Sequence, residues 1–210
     1  MDIYLVRHGQ SEFNVGLTDF LDSSLTTTGQ RQAELTAERL CALQLTHILC
    51  SPLRRTLQTS GWLADRMSLK VSLVPQLCEY FSNEHYLSFE GLRTSELLSR
   101  FPFAQIASPF PLIDPWWPNH VETLQDILDR VHEVRNAIIN LEPVRNACVV
   151  VISHADTLGR LLEVLTGTYP DPHQPPWNDN CGISHLHHEP GDEHARLIFS
   201  NDTSHLVLTP

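Results

Sequence analysis

Lysine is almost missing from this chain: Lys70 stands alone beside thirteen arginines. These 14 basic residues face 25 aspartates and glutamates, a formal net charge of −11 over 210 residues. Such a balance argues against nucleic acid or an anionic membrane surface as the main partner. An anionic ligand would have to be drawn by a local arginine cluster inside an acidic field. Long hydrophobic runs are missing too, and none approaches the length that spans a bilayer. The five cysteines, Cys41, Cys50, Cys78, Cys148 and Cys181, are odd in number and contain no CxxC pair. A reduced, cytoplasmic compartment fits them best. A signal peptide has little room, because the first polar cluster already begins at Arg7.

What is present alternates between strand and helix patterns. Residues 2–6 read as a strand, and 47–50 ("HILC") as another, after a helix at about 28–43. That helix has Thr27 as a cap with Gln30 three residues on, then Ala33, Ala37, Leu40 and Cys41 on one face. Ser51-Pro52 predicts the start of a second helix, since serine caps well and proline suits the first helical position. A short strand follows near 71–74. Leu124, Ile127, Leu128, Val131, Val134 and Ile138 mark a long amphipathic helix over 120–142. The β-branched run "ACVVVIS" (147–153) is typical of a strand covered on both faces. Behind it Leu158, Leu161, Leu162 and Leu165 form a helix stripe ending at Gly167. Strands near 183–187 and 195–199 complete the pattern. The expected fold is α/β, a three-layer α/β/α sandwich with a mostly parallel central sheet. One domain covers 1–210. Residues 80–118, with nine aromatics and several prolines, are expected as an inserted, partly helical cap over the sheet's edge. Residues 169–180 are expected as a proline-rich surface loop.

In an open α/β sheet, ligands bind beyond the carboxyl ends of the strands, where helix N-termini point. His8 follows the first strand, Arg55 lies in the first turn of the second helix, and His154 separates the 147–153 strand from the helix at Ala155. Helix starts present free N–H groups and partial positive charge, so these corners favour an anion. Arg7 adds a second guanidinium, and arginine forks match phosphate geometry.

The ordered set "LVRHGQSEFN", "LTTTGQRQA", "SPLRRTLQTS", "LCE" and "VVISHADTLGRLL" resembles the histidine phosphatase superfamily, the phosphoglycerate-mutase-like group. The similarity runs from residue 2 to about 167, and "NCGISHL" (180–186) is similar to the family's late strand. The resemblance implies a phosphohistidine mechanism without metal or cofactor. His8 would attack phosphorus, with its other ring nitrogen held by a backbone carbonyl. Arg7, Arg55 and His154 would bind the phosphoryl oxygens, joined by Asn14 and by Ala155 at the start of its helix. Glu79 in "LCE" matches the family's acid and later base; Glu84 is the alternative, because the stretch from Glu79 to "FEG" is longer than usual. Thr56 and Ala155 depart from the more common alanine and glycine. Glu122, in "VET", matches a family "ES" and is either a support behind the site or a helix N-terminal charge.

Phosphatase is preferred over mutase, because the 80–118 segment offers only Arg93 and Arg100 to grip a second anionic group. Its aromatics suit an apolar or ring-bearing phosphomonoester, although more than half are assigned to packing. No cysteine has an arginine six residues later, which excludes the C-x5-R chemistry, and no Gly-rich P-loop is present. In "HLHH" (185–188) only His185 and His187 share a strand face, so a structural role is preferred to a native metal centre. The remaining alternatives are a phosphoglycerate mutase-type phosphotransferase and a catalytically silent phosphate-binding protein. The expected partner is a small-molecule phosphomonoester, and the 102–118 stretch is a candidate homodimer interface.

Overall fold

The computed structural model describes residues 1–106, 108–141, 147–168 and 178–207. Seven strands form one sheet in the order β4-β3-β2-β5-β1-β6-β7. They are β1 (Asp2–Arg7), β2 (His47–Cys50), β3 (Val71–Leu73), β4 (Ala104–Ile106), β5 (Cys148–Ser153), β6 (Ile183–His187) and β7 (Arg196–Asp202). The first five in chain order run parallel, while β6 and β7 are antiparallel additions beyond β1.

The central strand β5 shows why the sheet is covered twice. Val150 and Ile152 pack with Val6, Ile48 and Cys50 against α1 (Thr27–Leu40) and α2 (Arg54–Met67). Val149 and Val151 point the other way, with Ile3 and Leu5, into α4 (Leu124–Ile139) and α5 (Ala155–Thr166). Alternate side chains therefore fill two cores, and a continuous β-branched run is what such a strand requires. The three-layer architecture follows directly from this alternation.

Several local expectations need correction. Helix α1 is capped by Thr26, whose hydroxyl accepts the Gly29 N–H at 3.0 Å, not by Thr27. The helix ends at Leu40. Helix α2 begins at Arg54 rather than at Ser51-Pro52, and its start is capped from a distant loop: Asp22 Oδ1 accepts the Arg54 N–H at 2.6 Å. Ser51 is drawn instead to His154. Helix α4 starts at Leu124 behind a Thr123–Asp126 capping box, four residues later than expected.

The 80–118 segment is more than a cap. It carries α3 (Thr94–Arg100), and β4 pairs in parallel with β3 to extend the sheet's edge. Phe81, Phe89, Phe110 and Trp116 are buried core residues. Phe89, Trp116 and Trp117 meet edge to face, with ring centroids 5.3–6.2 Å apart. These rings build the segment's own packing. The loop expected at 169–180 lies mostly outside the described residues.

Candidate active site

Register alone brings the two histidines together. In the β1–β5 ladder Arg7 pairs with Ser153, so His8 and His154 leave the sheet side by side, ring centroids 5.2 Å apart. The β2–β5 ladder pairs Cys50 with Ile152, which delivers Ser51 to the same end. Gly9 then lets the chain turn onto α1. A Cβ at Gly9 would sit 2.5 Å from the Gly29 carbonyl oxygen, and one at Gly29 only 2.0 Å from that of Gln10. The two glycines permit a backbone contact that no larger residue could.

Hydrogen bonds fix the tautomer of each imidazole. His8 Nδ1 donates to the Gly9 carbonyl at 2.7 Å, leaving Nε2 as the lone-pair nitrogen, and Arg55 Nε donates to it at 3.1 Å. Burial, Arg55 and Arg7 hold the His8 pKa well below its ordinary value, so the ring is neutral at working pH. His154 is likewise held well below its ordinary value, first by burial and then by Arg55. Its Nε2 lies 2.9 Å from Ser51 Oγ. With Ser51 donating there, Nδ1 keeps the proton. That Nδ1 is buried without a hydrogen-bond partner, and so is Arg7 Nε. Two orphaned donors beside Arg55 are what an anion site leaves when only protein groups are counted.

Glu79 completes the group. Its Oε2 stands 3.8 Å from His154 Nδ1, and its side chain is 15% exposed. Burial pushes the carboxyl up to about 7, Asp156 pushes the same way, and Arg55 opposes them. A carboxyl titrating near neutrality can both give and take a proton. Glu84, the alternative acid, is exposed on the short turn Glu84–Ser88.

The other expected residues are close by. Asn14 Oδ1 is engaged by the Ser11 N–H at 3.1 Å and by Asn180 Nδ2 at 3.2 Å, so its own amide N–H groups remain for a ligand. Asn180 also donates to the His8 carbonyl at 2.9 Å. Ala155 opens α5, and its N–H is among the donors a helix leaves free at its start. Thr56, by contrast, turns away to the Ser51 and Leu53 carbonyls.

Behind Glu79 stands a clamp that sequence reasoning half missed. Glu122 is buried and forms a two-pronged pair with Arg130, Nε at 2.6 Å and Nη2 at 2.8 Å. Arg130 Nη1 also donates to the Gln76 and Cys78 carbonyls, and Nη2 reaches the Glu79 carbonyl at 3.4 Å. Glu122 accepts the Phe81 N–H at 2.9 Å. Glu122 thus supports the segment that carries Glu79; it is not a helix-end charge. Arg130 sits eight residues away with no local pattern to flag it. On the opposite side, Asp2 Oδ1 accepts from both His185 at 2.8 Å and His187 at 3.0 Å, the structural role expected of that pair.

Comparison with known proteins agrees with this geometry. The sequence model described as histidine phosphatase superfamily (branch 1) matches residues 3–201. A "Probable phosphoglycerate mutase GpmB" of Yersinia enterocolitica is 29% identical over 214 residues, 99% of this chain and 96% of its own. A glucosyl-3-phosphoglycerate phosphatase of Mycolicibacterium vanbaalenii is 29% identical over 172 residues, 79% of this chain and 74% of its own. Among solved structures, the ecdysone phosphate phosphatase of Bombix mori, in complex with tungstate, shares the fold with a TM-score of 0.74 at 18% identity, covering 95% of this chain and 92% of that one.

Proposed function

The chain belongs to the histidine phosphatase superfamily, and from that premise we propose that it is a metal-independent phosphomonoester hydrolase acting through a phosphohistidine on His8. One observation carries the reading: His8 keeps Nδ1 on the Gly9 carbonyl and turns an unprotonated Nε2 toward Arg55. A neutral imidazole with its lone pair beside a guanidinium is set to attack an anionic phosphoryl group.

In the first step His8 Nε2 forms a bond to phosphorus as the bond to the leaving oxygen breaks, and Glu79 in its protonated form gives that oxygen its proton. Arg55 shifts its N–H from Nε2 to a phosphoryl oxygen, and Arg7, His154 Nδ1, the Asn14 amide and the Ala155 N–H share the rest of the charge. Positioning and charge neutralisation are most of what phosphoryl transfer needs, and guanidinium groups supply both. In the second step Glu79, now a carboxylate, takes a proton from water, whose oxygen attacks phosphorus; the N–P bond breaks and inorganic phosphate leaves. The reading includes a cytoplasmic setting, in keeping with five free cysteines; among the described residues no helix is long and apolar enough to cross a membrane.

Hydrolysis of p-nitrophenyl phosphate in EDTA, for the wild type and His8→Ala side by side, tests this. We expect metal-independent turnover that the substitution abolishes, and an acid-labile phosphoryl label on the wild type alone. Turnover that survives His8→Ala would refute the mechanism. Phosphoglycerate mutase chemistry, the activity for which the GpmB relatives are named, would use the same His8; interconversion of 2- and 3-phosphoglycerate followed by 31P NMR separates it.

A further inference from the structure

Among the described residues nine large apolar side chains stand exposed, and four of them, Val15, Leu17, Phe20 and Leu87, fall in the two segments that flank the phosphoryl site. Solvated surfaces scatter such residues singly; a cluster beside a site marks a contact. The first segment is anchored to the site at both ends. Asn14 precedes it, and the carbonyl of Leu21 accepts from Arg55 Nη1 at 2.6 Å. Between them Gly16 takes φ +69 and the chain folds back, with the Leu17 N–H on the Glu12 carbonyl at 2.9 Å. That turn leaves Leu17 73% and Phe20 49% exposed.

The second segment meets the site from the acid's side. The Tyr86 ring stacks on buried Phe81 at 4.8 Å, and its phenol is pushed up to about 12 by burial and by the charge of Glu79. Leu87, next in the chain, is 52% exposed. Arg55 feels both sides, through the Leu21 carbonyl and through Tyr86.

Charge around these walls points the same way. Arg7 and Arg55 are committed to the phosphoryl group on the reading above. Arg54, beside Phe20, stands 3.8 Å from the buried Asp22 carboxylate, with its Nε making no hydrogen bond. In the 80–118 segment Arg100 faces Glu96 at 3.7 Å, and Arg93 lies over the Trp117 ring at 5.4 Å. A second anionic group on the substrate would meet Glu79 and Asp156, while the arginines of the 80–118 segment lie against Glu96 and Trp117. We infer that the substrate's leaving group is an uncharged apolar body, an alkyl or aryl alcohol, seated between Leu17–Phe20 and Tyr86–Leu87. The inference rests on the phosphatase reading and names its substrate class.

An alkyl series isolates this contact, because ethyl, butyl and hexyl phosphate have leaving groups of nearly equal basicity. A methylene half removed from water is worth about twofold in kcat/KM, so hexyl phosphate should exceed ethyl phosphate about 15-fold. On the same argument 3-phosphoglycerate should fall below ethyl phosphate. The double variant Leu17→Ser, Phe20→Ser alters only exposed side chains and should flatten the series. A flat series in the wild type, an undiminished slope in the variant, or 3-phosphoglycerate as the best substrate would overturn the inference and leave the phosphatase reading standing. No turnover of any ester, p-nitrophenyl phosphate included, would remove both.

Discussion

Replacing Arg130 with methionine tests how far Glu79 depends on its clamp. The variant keeps most of the apolar stem but removes five hydrogen bonds: two to Glu122 and one each to the Gln76, Cys78 and Glu79 carbonyls. Glu122 is left as a carboxylate whose side chain is 2% exposed, with only the Phe81 N–H for company. Breaking a buried pair from one side costs about 3–5 kcal/mol, because the stranded charge keeps its desolvation penalty. At about 2–4 °C per kcal/mol for a chain of this size, Tm should fall by about 6–20 °C. A separate effect appears in the rate. If the Glu79 segment drifts by about 1 Å, up to about 100-fold in rate is at stake. That loss should fall on ethyl phosphate, whose leaving oxygen needs a proton, and largely spare p-nitrophenyl phosphate. Adding Glu122→Gln removes the stranded charge while an amide oxygen still accepts the Phe81 N–H. The double variant should regain most of the stability and none of the rate. Thermal melts with kcat/KM on both esters decide it. A double variant as unstable as the single one refutes the stranded-charge argument, and equal rate losses on both esters refute the positioning argument.

The parts of this molecule that could be read from the chain are those whose causes are local. "ACVVVIS" reads as a strand because β-branched residues on both faces suit only one that is covered twice, and β5 lies at the centre of the sheet. His8 and His154 could be singled out because each follows a strand directly, and parallel register then puts them together whatever the rest does. Where neighbours far along the chain compete, the local signal failed. Three successive threonines, 26–28, offer equal caps; Gln10 chooses Thr26 by accepting its N–H at 2.9 Å and its hydroxyl at 2.8 Å. Ser51 is a good cap in isolation, but His154 claims its hydroxyl and Asp22 caps α2 instead. Strand β4 is three residues long and exists through its pairing with β3, which no periodicity announces. Arg130 is invisible for the same reason: its five acceptors come from a segment 51–54 residues earlier and from Glu122. The place of His8 could be read from the chain because it depends on one strand end, whereas the placement of Glu79 depends on the packing of α4.

Two further expectations concern buried carboxyls. Glu79→Gln removes the proton that the leaving oxygen takes, so ethyl phosphate should lose about 10²–10⁴ in kcat and p-nitrophenyl phosphate much less. In the wild type, kcat/KM for ethyl phosphate should decline above about pH 7 as Glu79 ionises, a limb that p-nitrophenyl phosphate lacks; coincident profiles would move the acid elsewhere. Asp22 makes its prediction through stability. Burial pushes its carboxyl up to about 6, against the pull of the Arg54 N–H and guanidinium, from an ordinary value of 3.8. The folded chain therefore binds this proton more tightly than the unfolded chain. The group's stabilising contribution is complete below about pH 4 and is lost as pH rises through about 6. Asp22→Asn keeps a carbonyl oxygen for the Arg54 N–H and carries no charge to desolvate. It should be more stable than the wild type at pH 8 by about 1–3 kcal/mol, with the gap closing toward pH 4.5. Urea unfolding at the two pH values measures the difference. A variant less stable at pH 8 would mean that the attraction between Asp22 and Arg54, 3.8 Å apart, outweighs the cost of burying the charge, and that α2 is held at its start by an ion pair rather than by the cap's hydrogen bond.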